Sequence, residues 1–119
     1  MIWFLKKIFW YGSKRLSQSK NKQLSEKLAK ISKHKGKQKF LELDILYHWI
    51  LRELWYTGSF GEILKQNPKE IKNLDEIWEL HKLRNTLAHE LRDIDERFIS
   101  KQSRKYENTI KKFLGQITR

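Results

Sequence analysis

Residues 39–56, KFLELDILYHWILRELWY, decide the fold. Phe40, Leu43, Tyr47, Ile50, Leu51 and Leu54 recur at spacings of three and four, which predicts a helix with one face in the core. Leu41, Ile45, Trp49 and Tyr56 lie off that stripe, so the helix is apolar nearly all round, as expected of one packed on two sides. Thr57, Gly58 and Ser59 stop it. Phe60 to Lys65 then reads as a short helix before a loop carrying Asn67 and Pro68. Asn73 followed by Glu76 resembles a capping pair, and Ile77, Leu80, Leu83, Leu87 and Leu91 mark the core stripe of a helix reaching Glu90 or Leu91. Ser100 reads as the cap of a last helix with the stripe Tyr106, Ile110, Phe113, Leu114 and Ile117.

The chain as a whole agrees with an all-α class. It has 119 residues, one Pro and five Gly, too few turn formers for a many-stranded sandwich. There is no Cys, which removes disulfides, Cys-based zinc sites and thiol catalysis. No Gly-rich phosphate loop and no GxSxG elbow is present, so P-loop hydrolysis and acyl transfer have no carrier. The net charge of +12 points to phosphate-rich or anionic-lipid partners.

That charge is concentrated upstream of the first strong helix. Residues 1–39 hold 12 Lys or Arg against one acid, Glu26, whereas residues 40–119 are nearly balanced. The composition therefore divides the chain into a hydrophobic and then polybasic N-terminal arm, residues 1–38, and a helical domain, residues 39–119. Met1 to Tyr11 is apolar or aromatic apart from Lys6 and Lys7, too short for the ~20-residue span a membrane helix needs. The segment also lacks the layout of a cleavable signal. Trp3, Phe4, Trp10 and Tyr11 suit contact with a membrane headgroup layer. Lys14, Arg15, Lys20, Lys22, Lys33, Lys35, Lys37 and Lys39 would add attraction to anionic lipid, or neutralise nucleic-acid phosphates without reading bases. Packing of Met1–Tyr11 back on the bundle is the other option. Leu16, Leu24, Leu28 and Ile31 mark a thin amphipathic helix within the arm, ending near Gly36.

In the helix after Asn73, a projection at about 100° per residue puts Arg84 inside the apolar stripe and Asn85, Trp78 and His89 on one flank. A buried guanidinium left without a counter-charge would cost several kcal/mol, so Arg84 requires a carboxylate or an anionic ligand. Asp44 at the edge of the first stripe is the expected partner, with Glu42 the less inward choice. Such a pair could simply fix helix register, or it could orient Arg84 toward a ligand. His81 extends the Asn85–His89 stripe by one turn and is expected beside the site or at an interface. His-x7-His without Cys or HExxH is poor zinc spacing, so no metal and no other cofactor is expected. Trp49, Trp55 and Trp78 read as core or interface residues rather than base-stacking platforms.

The run Leu80-His81-Lys82-Leu83-Arg84-Asn85-Thr86-Leu87-Ala88-His89-Glu90 resembles the signature of the HEPN superfamily, in which Arg, a polar residue, three variable residues and His follow in order. Glu42-Leu43-Asp44, the stretch from Tyr56 to Lys65, and Ile77-Trp78 are similar to small bacterial HEPN-like proteins, and the likeness covers roughly residues 38–117. Phe40 and Leu43 depart from it, standing where smaller residues are expected. The basic arm is not a general feature of the family.

The resemblance implies an antiparallel four- or five-helix bundle that forms a homodimer with both Arg84-Asn85-His89 sets lining one cleft. In active members that cleft cleaves RNA without metal, with Arg84, Asn85 and His89 as catalytic residues and His81, Asp44 and Glu42 behind them. It also implies toxin or defence roles, with an antitoxin protein as a further partner. Many relatives only bind. The alternative expectation is accordingly a non-catalytic RNA- or nucleotide-binding module tethered to an anionic membrane surface through residues 1–39. The location expected is cytoplasmic, at the inner face of the membrane where the arm engages lipid.

Overall fold

A computed structural model describes residues 15–92 and 94–119, and the described residues form an all-α bundle of five helices. They are α1 (Gln18–Ile31), α2 (Gly36–Glu53), α3 (Phe60–Lys65), α4 (Leu74–His89) and α5 (Glu96–Ile117). Among the described residues there is no strand, only an isolated bridge between Leu16 and Thr118.

The apolar stripe of α2 places that helix at the centre, packed most extensively on α5 and also on α1 and α4. Phe40, Leu43, Tyr47, Ile50, Leu51 and Leu54 are all buried, as their spacing predicts. The ring of Tyr47 stacks between Phe60 of α3 (centroids 5.6 Å apart) and Phe113 of α5 (4.9 Å), so one aromatic side chain fastens three helices. Phe40 packs on Tyr106 at 5.4 Å, and both are fully buried. Phe40 and Leu43, bulkier than the resemblance led one to expect, both lie in the core.

Helix α1 belongs to this packing. Leu16, Leu24 and Leu28 are buried and Ile31 is partly so, against α2 and α5. The segment before α1 and the first turn of α1 also satisfy carbonyls that α5 leaves open at its C-terminal end. Leu16 N donates to Ile117 O (2.6 Å), Arg15 Nη1 to Gln116 O (2.9 Å) and Asn21 Nδ2 to Leu114 O (3.3 Å). The compositional step at residues 38 and 39 therefore does not coincide with a break in packing: the lysines of α1 ride on its outer face while its leucines join the core. Trp3, Phe4, Trp10, Tyr11 and Lys14 lie outside the described residues.

Several helix ends differ from the sequence reading. Helix α2 begins at Gly36, whose φ of +67° reverses the chain after α1; a Cβ there would meet nothing, so glycine serves backbone conformation rather than space. Helix α5 begins at Glu96, because Asp95 caps it by accepting from Arg97 N at 2.9 Å; Ser100 is exposed inside the helix. Asn73 precedes α4 without capping it and instead donates to Thr109 of α5 at 2.7 Å. Leu91, expected in the stripe of α4, lies past its end and is wholly exposed.

Candidate functional site

The site grows from one buried carboxylate. Asp44 sits on the inward edge of α2, where the stripe that buries Tyr47 and Leu43 carries it to 3% exposure. A carboxylate withdrawn from water needs donors from every side. Tyr106 of α5 supplies a hydroxyl at 2.6 Å, and His81 of α4 donates through Nδ1 at 3.2 and 3.3 Å to the two oxygens. Arg84 brings its Nε to 3.6 Å, an ion-pair distance. Asp44 therefore ties α2, α4 and α5 together.

The resulting geometry fixes two basic side chains of α4 in different ways. His81 is largely covered, with its ring 4.5 Å from that of Phe60 and its Nδ1 proton committed to Asp44. Arg84 stays a third exposed: its Nε is buried against Asp44 without a hydrogen-bond partner, while Nη1 donates to Asn85 Oδ1 at 3.2 Å. The guanidinium is anchored from behind and presents its outer edge to solvent next to Asn85. Tyr106 feels the same carboxylate, as burial and then the Asp44 charge push its phenol well above the ordinary value.

Of the residues expected in the site, the fold brings together Asp44, His81, Arg84 and Asn85. His89 is not in that cluster. It is exposed at the last residue of α4, one turn beyond Asn85 on the same flank, with no hydrogen bond or ion pair among the described residues. Glu42 turns the other way and accepts from His34 Nδ1 at 2.9 Å, which removes it from the Arg84 neighbourhood. His48, one turn from Asp44, hydrogen-bonds Gly58 O at 3.0 Å and stacks on Phe60, closing the turn between α2 and α3.

Several of the expected phosphate- or lipid-binding cations already have structural partners. Lys39 pairs with Glu107 at 2.6 Å, and Lys37 donates to Glu90 O at 2.9 Å just past the end of α4. Lys20 pairs with Glu53 at 3.5 Å, and Arg15 holds Gln116 O. Lys22, Lys33 and Lys35 are exposed. Among the described residues no helix is long and apolar enough to cross a membrane.

Sequence reasoning missed Tyr106 as a partner of Asp44. A tyrosine in an apolar stripe was the available signal, because a buried hydroxyl requires an acceptor. Of the two placements expected for the tryptophans, core or interface, Trp49 at 41% and Trp55 at 71% exposure are not in the core. Chemically, the arrangement offers a surface guanidinium of fixed orientation, a neighbouring amide and a solvent-reachable imidazole, groups suited to holding a phosphate and moving a proton. Comparison with known proteins finds no family model, no curated protein and no solved structure that matches this chain.

Proposed function

We propose that this chain is a metal-independent endoribonuclease of HEPN type, in which two copies pool their Arg84, Asn85 and His89 side chains along one cleft. The observation that carries the reading is the state of Arg84, anchored by the buried Asp44 yet open to solvent beside Asn85. A guanidinium held in this way binds a phosphodiester without first losing its own freedom, and it offsets charge that develops on the phosphoryl oxygens. The neutral imidazole of His89 takes the proton of a ribose 2′-hydroxyl, the 2′-oxygen attacks phosphorus, and the 5′-oxygen leaves with a proton from an imidazolium across the cleft. Cleavage leaves a 2′,3′-cyclic phosphate and a 5′-hydroxyl, so DNA is not a substrate.

The test is RNA cleavage in excess EDTA by wild type, Arg84→Ala and His89→Ala. Loss of one proton-transfer group should lower the rate by about 10²–10⁴-fold. His89→Ala is the cleaner variant, since its side chain is exposed and makes no hydrogen bond or ion pair among the described residues. No cleavage by the wild type, or equal rates for all three proteins, would remove the nuclease reading.

A second reading is favoured by the separation of His89 from the Asp44 cluster: a module that binds RNA phosphates through Arg84 and Asn85 and does not cut. It predicts RNA affinity that falls steeply with salt and survives His89→Ala.

A further inference from the structure

A second surface, unrelated to Arg84, lies along α2 beside α1. Ile45 and Trp49 are one turn apart on α2 and form an exposed apolar ridge, 56% and 41% open. A hollow lies on each side of that ridge. The first, about 500 Å3, has a floor of Ile31, Leu46 and the ridge itself, and its α1 wall carries Lys27, Lys30 and Lys33. The second, about 470 Å3, runs from the ridge to His48, Arg52 and Trp55.

Three observations bear on what covers this face. Its apolar floor is edged by cations on both sides, Lys27, Lys30 and Lys33 along one hollow and Arg52 along the other. None of these four has a carboxylate partner among the described residues, whereas the two acids nearby are engaged, Glu42 by His34 and Glu53 by Lys20. Lys27 rests its Nζ 4.4 Å from the centre of the Trp49 ring, which keeps a cation beside the ridge. Trp55 is held at φ +73°, a left-handed position normally left to glycine, and is still 71% exposed. The backbone here tolerates strain while displaying an indole to solvent.

We infer that this face is a docking site for an acidic amphipathic helix of another protein, seated on the Ile45–Trp49 ridge with carboxylates reaching the cations on either side. An apolar ridge between two hollows is the complement of a helix whose i, i+3, i+4 and i+7 side chains straddle it. A single acyl chain would fill one hollow and leave the other open. A second copy of this chain would bring like charge against Lys27, Lys30 and Lys33. Residues 1–11 would bring Lys6 and Lys7 to the same rim.

The experiment uses the full chain and two labelled synthetic helices of about 18 residues, ~27 Å long, with the same leucine stripe flanked by Glu in one and by Lys in the other. Fluorescence anisotropy should show binding of the Glu-flanked helix and at least about tenfold weaker binding of the Lys-flanked one. Ile45→Asp and Trp49→Asp change exposed positions, so folding is retained, which circular dichroism verifies, and each should weaken the Glu-flanked helix by about tenfold or more. Lys27→Glu combined with Lys30→Glu should shift preference toward the Lys-flanked helix. The inference is overturned by no binding of the Glu-flanked helix, by equal binding of both helices, or by folded ridge variants that bind like wild type. It is also overturned if the ridge variants instead lose sedimentation with vesicles of phosphatidylcholine and phosphatidylglycerol, which would make the face a lipid surface. None of these outcomes depends on RNA cleavage.

Discussion

At the scale of single residues the molecule turns on Asp44. Two helices, α4 and α5, send it His81, Arg84 and Tyr106, and each partner has a separable role. Removing the carboxylate in Asp44→Ala would strand Arg84 Nε in a buried place and leave Tyr106 without its acceptor. Breaking a buried pair from one side costs about 3–5 kcal/mol, so the unfolding free energy should fall by that amount, read as a lower urea midpoint at unchanged slope. Tyr106→Phe removes only one bond to a charged acceptor and should cost about 1.5–3 kcal/mol. Tyr47 and Tyr106 extend the same argument to alkaline pH. Burial raises both phenols above the ordinary value of 10.0, with Glu76 adding to Tyr47 and Asp44 to Tyr106. Because the folded values are raised, the stabilisation is complete below pH 10 and declines as the pH climbs beyond it. Absorbance at 295 nm should therefore show these two phenols ionising together with unfolding, and a separate earlier step for either would contradict their burial. The Asp44–Arg84 pairing was legible because helical angle alone aims both groups inward. His81 was placed beside the site but not on Asp44, and the role of Tyr106 was missed, since an angle does not say which neighbouring helix a side chain meets.

At the scale of elements, α3 has six residues and cannot persist by propensity. Ser59 and Glu62 hold its start by a reciprocal cap: Glu62 N donates to Ser59 Oγ at 3.2 Å and Ser59 N to Glu62 Oε1 at 3.1 Å. Those bonds from Ser59 hold the Glu62 carboxyl below its usual 4.5. With a lowered folded value, the stabilisation is present above pH 4.5 and is shed as the pH drops through the folded value beneath it. Amide exchange in α3 should accelerate over that acidic range, and Glu62→Gln should abolish the pH dependence by removing the titrating carboxyl. Helix α1 makes the opposite point about legibility. Its leucine spacing was visible, yet its lysines argued for a solvated arm, because composition weighs every face of a helix equally and packing uses only one. Leu24→Ala and Leu28→Ala each delete a buried side chain and should cost about 2–5 kcal/mol in thermal or urea unfolding, whereas in a free arm they would cost nothing. The start of α5 was misread for a related reason: Ser100 and Asp95 are both good caps, and only the turn after α4 decides between them.

For the whole molecule, the excess of positive charge divides into cations that build the fold and cations free to meet a polyanion. Lys39 and Lys20 have carboxylate partners and Arg15 and Lys37 hold backbone carbonyls, whereas Lys22, Lys33 and Lys35 stand exposed. If RNA binds across the exposed group, the triple change to Gln should reduce the slope of log affinity against log salt by about 2, at ~0.7 per single-strand phosphate contact. Lys39→Gln should leave that slope unchanged and lower stability instead. Titrations at several salt concentrations separate the two. Spacing and composition do not sort these lysines, because their sorting depends on which acids and carbonyls the bundle delivers to them.

The meeting of Leu16 with Ile117 and Thr118 brings two distant stretches of chain side by side. Covalently the backbone is open there; spatially it is almost a ring. Where a peptide enters and leaves the bundle is then a matter of bookkeeping to the packed helices, and the order in which they are strung is largely interchangeable. A rearranged polypeptide, spliced across that seam and cut instead at Thr57–Gly58–Ser59, should reach the same architecture.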